Sequence, residues 1–122
     1  AAAAAGHYSS FSYFQVVDTP ESKKFVEAYN SKFADNTTVT NLAEGAYHGV
    51  YLLAKALEKA EKYDGPSLIG AFKGLEVDSP QGKIKVDPTN NHTWLQSRIG
   101  KIKPDGMFEI VYSSNALVKP EL

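Results

Sequence analysis

The sequence predicts an α/β fold: a parallel β-α-β core followed by antiparallel strands. Three observations predict it. An aromatic-rich extended stretch at residues 7–13 runs into a helix-start signal at residues 18–21. Two segments then repeat apolar residues at helical spacing, separated by a short β-branched stretch. Beyond Gly74 the pattern changes to alternation, punctuated by two turns rich in proline and glycine.

Each element follows from local chemistry. Residues 7–13 read as the first strand. Thr19 can cap the next helix, Pro20 suits its first position, and Glu21 complements its dipole. Phe25, Tyr29 and Phe33 recur at i, i+4 and i+8 with Val26 beside them, so this helix is predicted to end near Ala34, before Asp35-Asn36. Residues 37–40 read as the second strand. Asn41-Leu42-Ala43-Glu44 has the form of a capping box opening a long helix. Its predicted inner face is Leu42, Ala46, Val50, Leu53, Leu57 and Ala60, with Glu58 and Lys62 as an i,i+4 pair outside. Asp64-Gly65-Pro66 ends that helix, and residues 67–74 form a third with Leu68, Ile69 and Phe72 inward. Residues 75–77 and 83–86 flank the turn Ser79-Pro80-Gln81-Gly82. Residues 94–102 and 107–112 alternate, and Pro104-Asp105-Gly106 joins them as a hairpin with Gly106 at positive φ.

Composition narrows the function. A chain of 122 residues can bury one real core. Its formal net charge is -1 and no basic stripe appears, which argues against nucleic acid as a partner. No apolar run approaches the length of a membrane span. With no cysteine, disulfides, thiolate metal sites and a cysteine nucleophile are excluded within these residues. His7, His48 and His92 lie far apart, without the spacing of metal ligands. No G-x-S-x-G elbow, H-E-x-x-H helix or phosphate-binding glycine loop occurs, so the chain reads as a non-enzyme without cofactor or metal.

A binding site is the better expectation. A right-handed β-α-β unit puts the carboxyl ends of both strands on one sheet edge, where ligands of open α/β sheets sit. That edge carries Ser12, Tyr13, Phe14 and Gln15 from the first strand, and Thr40, Asn41 and Glu44 from the start of the long helix. Hydroxyl, carboxamide and carboxylate groups beside aromatic rings suit a small neutral amide, which offers donors at one end and an acceptor at the other. Ser12, Tyr13, Phe14, Gln15 and Glu44 are the candidate ligand-binding residues. Glu44 could equally serve only the helix cap, and Tyr13 and Phe14 could be core. Asn90-Asn91-His92 reads as a turn that positions the next strand.

The order of motifs adds a family. Tyr13-Phe14 before Asp18-Thr19, then Ala43-Glu44-Gly45-Ala46-Tyr47, Ser79-Pro80-Gln81-Gly82 and Asn90-Asn91-His92-Thr93 together resemble the C-terminal part of amide- and urea-type solute-binding proteins of ABC importers. These belong to the branched-chain amino acid receptor group with the type I periplasmic-binding fold. The resemblance implies a protein that clamps urea or a short-chain amide between two lobes and delivers it to a membrane permease outside the cytoplasm. Alternatives within the same fold are a cytoplasmic amide-sensing regulator and a branched-chain amino acid binding protein. Residues 6–122 would be a C-terminal lobe whose N-terminal lobe is missing, and Ala1 to Ala5 an artefact or an unassigned helix end.

Overall fold

The computed structural model describes residues 2–33 and 37–121. After a single 3-10 turn at Ala2–Ala4 come β1 (Tyr8–Phe11), α1 (Pro20–Phe33), α2 (Asn41–Lys59) and α3 (Gly65–Phe72). Five strands follow: β2 (Glu76–Ser79), β3 (Gly82–Val86), β4 (Thr93–Trp94), β5 (Arg98–Ile102) and β6 (Phe108–Ser113). The strands form two three-stranded sheets, ordered β1-β5-β6 and β2-β3-β4.

The α/β class stands, but every strand pairing among the described residues is antiparallel. β1 pairs with β5, with Tyr8 opposite Lys101 and Phe11 opposite Arg98. Residues 37–40 form no strand. They still lie beside the end of β1, held by side chains in place of a ladder. Asn41 Oδ1 accepts from the Tyr13 N–H at 2.9 Å, and Gln15 Oε1 accepts from the Val39 N–H at 2.6 Å. Pairing 13 with 41 and 15 with 39 makes the two segments run in opposite directions. The periodicity argument finds extended segments but not their partners.

The helices begin where capping chemistry dictates. Thr19 Oγ1 accepts from the Ser22 N–H at 3.0 Å and donates to the Pro80 carbonyl at 2.8 Å, which ties the start of α1 to the β2–β3 turn. Thr40, not Asn41, caps α2, its hydroxyl accepting from the Ala43 N–H at 3.2 Å. Asp64 caps α3 by accepting from the Ser67 N–H at 2.8 Å, so the residue expected to stop α2 starts the next helix instead. α2 ends at Lys59, which leaves Lys62 outside it and removes the expected pair with Glu58. The Asp35-Asn36 break lies outside the described residues.

Two apolar clusters hold the chain together. Tyr13, Val17, Phe25 and Val39 form one, with Tyr29, Tyr47 and Ile110 packed against it. Leu52, Val77, Ile84 and Val86 form the other, with Phe72, Leu75 and Leu95 around them. The expected inner face of α2 is turned out: Leu42, Val50, Leu53 and Leu57 are exposed, Leu42 at 82%. Glu44, Leu52 and Ala56 are the buried positions of this helix. The most apolar stripe is therefore not the stripe that α1, β2 and β3 cover. In α3, Ala71 is buried and Ile69 is exposed.

The later turns match expectation. β2 and β3 form a hairpin in which Gly82 has φ +106°. β5 pairs antiparallel with β6 from Arg98 opposite Ser113 to Ile102 opposite Phe108, and Gly106 sits at φ +85°. Residues 94–102 divide into two strands of different sheets. Asn91, at φ 60°, completes the turn that brings in β4.

Candidate functional site

A cavity of about 320 Å³ lies where the end of β1 meets the segment before α2. Phe11, Phe14 and Phe108 supply rings, Gln15 and Val39 supply the sides, and Leu42 stands at its margin. Phe14 is 4% exposed; its ring centroid lies 4.7 Å from that of Phe108 and 5.8 Å from that of Phe11. Gly100 makes this packing possible. A Cβ there would lie 2.8 Å from the Phe14 ring and 2.9 Å from that of Phe108.

The expected site residues divide. Ser12, Tyr13, Phe14 and Gln15 gather at one place, but their polar atoms are engaged within the chain. Ser12 Oγ donates to Asn41 Oδ1 at 2.9 Å, and Gln15 holds the Val39 amide. Tyr13, 1% exposed, belongs to the core and shares a hydrogen bond of 3.0 Å with Ser22. Burial pushes its phenol above the ordinary range; the Ser22 bond opposes the shift and the Glu44 charge adds to it.

Glu44 is not in this cavity and does not cap α2. Its side chain is fully buried, accepting from His48 Nδ1 at 3.0 Å and from the Gln81 side-chain amide at 3.0 Å. The Glu44 carboxylate, expected to accept from a solute amide, accepts here from the Gln81 side-chain amide of the chain itself. Arg98 extends the network, donating to the Gln81 carbonyl at 2.8 Å, to the Ser12 carbonyl and to Gln96 Oε1. Burial lowers the Arg98 guanidinium pKa, and the Glu44 charge opposes that shift. One guanidinium thereby joins the end of β1 to the β2–β3 turn, and so one sheet to the other.

Arg98, Gln81 and Phe108 were not among the candidate site residues, and Asn41 was placed on the strand-end edge without a binding role. A signal for Arg98 was present: it lies in register with Gly100 on the inward face of β5, where a charge needs partners. Gln81 carried only the mark of a turn. Among the described residues no group of three or more His, Asp or Glu side chains could hold a metal ion, and no helix is long and apolar enough to cross a membrane.

Residues 1–122 match the family model described as the periplasmic binding protein domain. A Geobacillus stearothermophilus protein described as limonene hydroxylase is 32% identical over 111 residues, 91% of this chain and 20% of that protein. The Leu/Ile/Val-binding protein homolog 6 of Brucella abortus (strain 2308) is 32% identical over 90 residues, 73% of this chain and 23% of that protein. The chain thus spans about a fifth of the length of these curated relatives. Among solved structures, a solute-binding protein of an ABC transporter from Rhodopseudomonas palustris BisB5, in complex with 3,4-dihydroxybenzoic acid, superposes with a TM-score of 0.85 at 32% identity, over 97% of this chain and 33% of that one. One from Rhodopseudomonas palustris HaA2 in complex with p-hydroxybenzoic acid gives 0.80 at 28% identity, over 91% and 31%. With its whole length matched by the family model and its fold shared with these proteins, the chain belongs to the periplasmic binding protein domain family, in the branched-chain amino acid receptor type of ABC-transporter solute-binding proteins.

Proposed function

We propose that this chain is the C-terminal portion of the solute-binding component of an ABC importer, which works outside the cytoplasmic membrane, encloses a small molecule between two lobes and hands it to the permease. The observation that carries this reading is the superposition of 97% of the chain on a solute-binding protein at a TM-score of 0.85. The role is binding, not catalysis. The chain offers rings and apolar walls, while its polar atoms near the cavity are turned inward to hold the fold.

For the solute, the walls favour an aromatic acid of the benzoate class. Phe14 and Phe108 would meet a ring by offset or edge contact, worth about 0.5–1.5 kcal/mol beyond the area buried. Two relatives above are in complex with hydroxylated benzoic acids. A second reading, urea or a short-chain amide, rests on the motif order from Tyr13 to Thr93. In that reading Tyr13 and Phe14 pack on the solute. The commitment of Glu44 to Gln81 weakens it, since the carboxylate meant for the solute's amide is already taken.

Calorimetry on the full-length protein with 4-hydroxybenzoate, urea, acetamide, leucine and glutamate separates the readings. Binding of the aromatic acid alone is the expected result. Binding of urea or acetamide alone installs the second reading, and binding of leucine alone moves the protein to the amino acid branch. Full-length protein that stays in the cytoplasm on cell fractionation would indicate a sensor of the same fold instead of an importer component.

A further inference from the structure

The cavity beside Phe14 is apolar to its surface. Phe11, Phe14 and Phe108 wall it with rings, Val39 and Leu42 with aliphatic groups, and no polar atom is exposed on the wall. Polar side chains do stand around it, but their hydrogen bonds run into the chain. Asn41 Oδ1 accepts from the Ser12 hydroxyl and the Tyr13 N–H, both at 2.9 Å. Gln15 Oε1 holds the Val39 N–H, and the Tyr13 hydroxyl is bonded to Ser22. Turning Asn41 toward a guest would strip two donors of their acceptor, which costs more than one new bond returns. Every lining residue is uncharged. Arg98, the cation that reaches the end of β1, is 6% exposed and is committed to the Ser12 and Gln81 carbonyls and to Gln96 Oε1.

Resting on the aromatic-acid reading above, we propose that this cavity takes the solute ring-first, with the carboxylate left at the mouth, and that it selects acids whose far edge carries hydrogen, methyl or halogen over those that carry a hydroxyl. Size permits this. A dry apolar cavity of about 150 Å³ holds benzene, so about 320 Å³ holds a substituted ring. Orientation follows from charge. Inside the cavity a carboxylate would lose its water and meet neither a donor nor a cation, and an unpaired buried charge is the costliest group to desolvate. A ring hydroxyl suffers the same loss more weakly, while a methyl group in its place gains by leaving water. An apolar pocket discriminates over one hydroxyl by up to about a hundredfold.

Calorimetry on the full-length protein with benzoate, 4-methylbenzoate and 4-hydroxybenzoate tests this. 4-Methylbenzoate should bind at least about tenfold more tightly than 4-hydroxybenzoate, with benzoate between them. Phe108→Leu removes a ring wall at similar volume and should weaken 4-methylbenzoate about two- to tenfold. Phe11→Leu, at a half-exposed position of β1, keeps the fold and should act the same way. 4-Hydroxybenzoate binding as tightly as 4-methylbenzoate would overturn the selection and leave the aromatic-acid reading in place. Affinities that neither variant changes would also overturn it, by placing the ring elsewhere. Binding of none of the three acids would remove that reading, and this selection with it.

Discussion

At Glu44 the sidechain question is one of donors. Both carboxylate oxygens face N–H groups, from His48 and from Gln81, and the side chain is fully buried. Glu44→Gln puts an NH2 against one of those donors. The expected loss is about 1–3 kcal/mol of stability, read as a lower melting temperature, while solute affinity in the full-length protein stays within about threefold of wild type. An unchanged melting temperature with weakened binding would return Glu44 to the solute site. Gly100 gives a second residue-scale expectation. Gly100→Ala pushes a methyl group to within 2.8 Å of the Phe14 ring, so overpacking should cost about 1–3 kcal/mol. Chemical denaturation measures it, and an unperturbed midpoint would show that the rings yield freely. That Ser12 to Gln15 lie together was legible from their adjacency alone, since residues 37–40 form no second strand for the strand-end rule. The direction in which their polar atoms point was not, because it depends on Asn41, Val39 and Ser22, which are remote in sequence.

Among the elements, those closed by local chemistry were read well and those that needed a partner were not. Thr19 and Pro20 start α1, and Gly106 turns the β5–β6 hairpin, because each signal acts within a few residues. The inner face of α2 was misplaced because periodicity finds the most apolar stripe without saying what covers it. The β3–β4 turn illustrates a local device with a pH consequence. Asp87 Oδ1 accepts from the Thr89 N–H at 2.8 Å and its hydroxyl at 2.6 Å, and Oδ2 accepts from Trp94 Nε1 at 2.8 Å. The Thr89 bonds, then the Trp94 bond, hold this carboxyl far below the usual carboxylate range. A depressed folded pKa stabilises the fold fully above the unfolded value of about 4, and that contribution fades as the pH falls further. The melting temperature should therefore drop between pH 5 and pH 3. Asp87→Asn should melt lower at pH 7 and depend less on pH over that interval.

Across the whole molecule, the α/β class and the family were legible, while the sheet pairing was not. Strand pairing joins segments far apart in the sequence, such as β1 with β5, and local patterns do not name the partner. The exposed stripe of Leu42, Val50, Leu53 and Leu57 has a further effect on the chain taken by itself. A contiguous apolar strip on a solvated helix promotes association. The isolated 122-residue chain should self-associate at micromolar concentration, as seen by light scattering. Replacing Leu42 and Val50 with lysine should shift it toward monomer. A wild-type chain that stays monomeric throughout would show that the stripe is tolerated in water.

Trp94 is the only tryptophan of the chain, and its indole N–H is bonded to Asp87 while Lys85 lies 5.6 Å from its ring centroid. The chain's tryptophan fluorescence therefore comes from one indole, seated at the β3–β4 turn. Its emission would serve as an optical reporter of this turn. Asp87→Asn, which replaces the carboxylate that accepts from the indole N–H, should change the emission of the folded protein at pH 7.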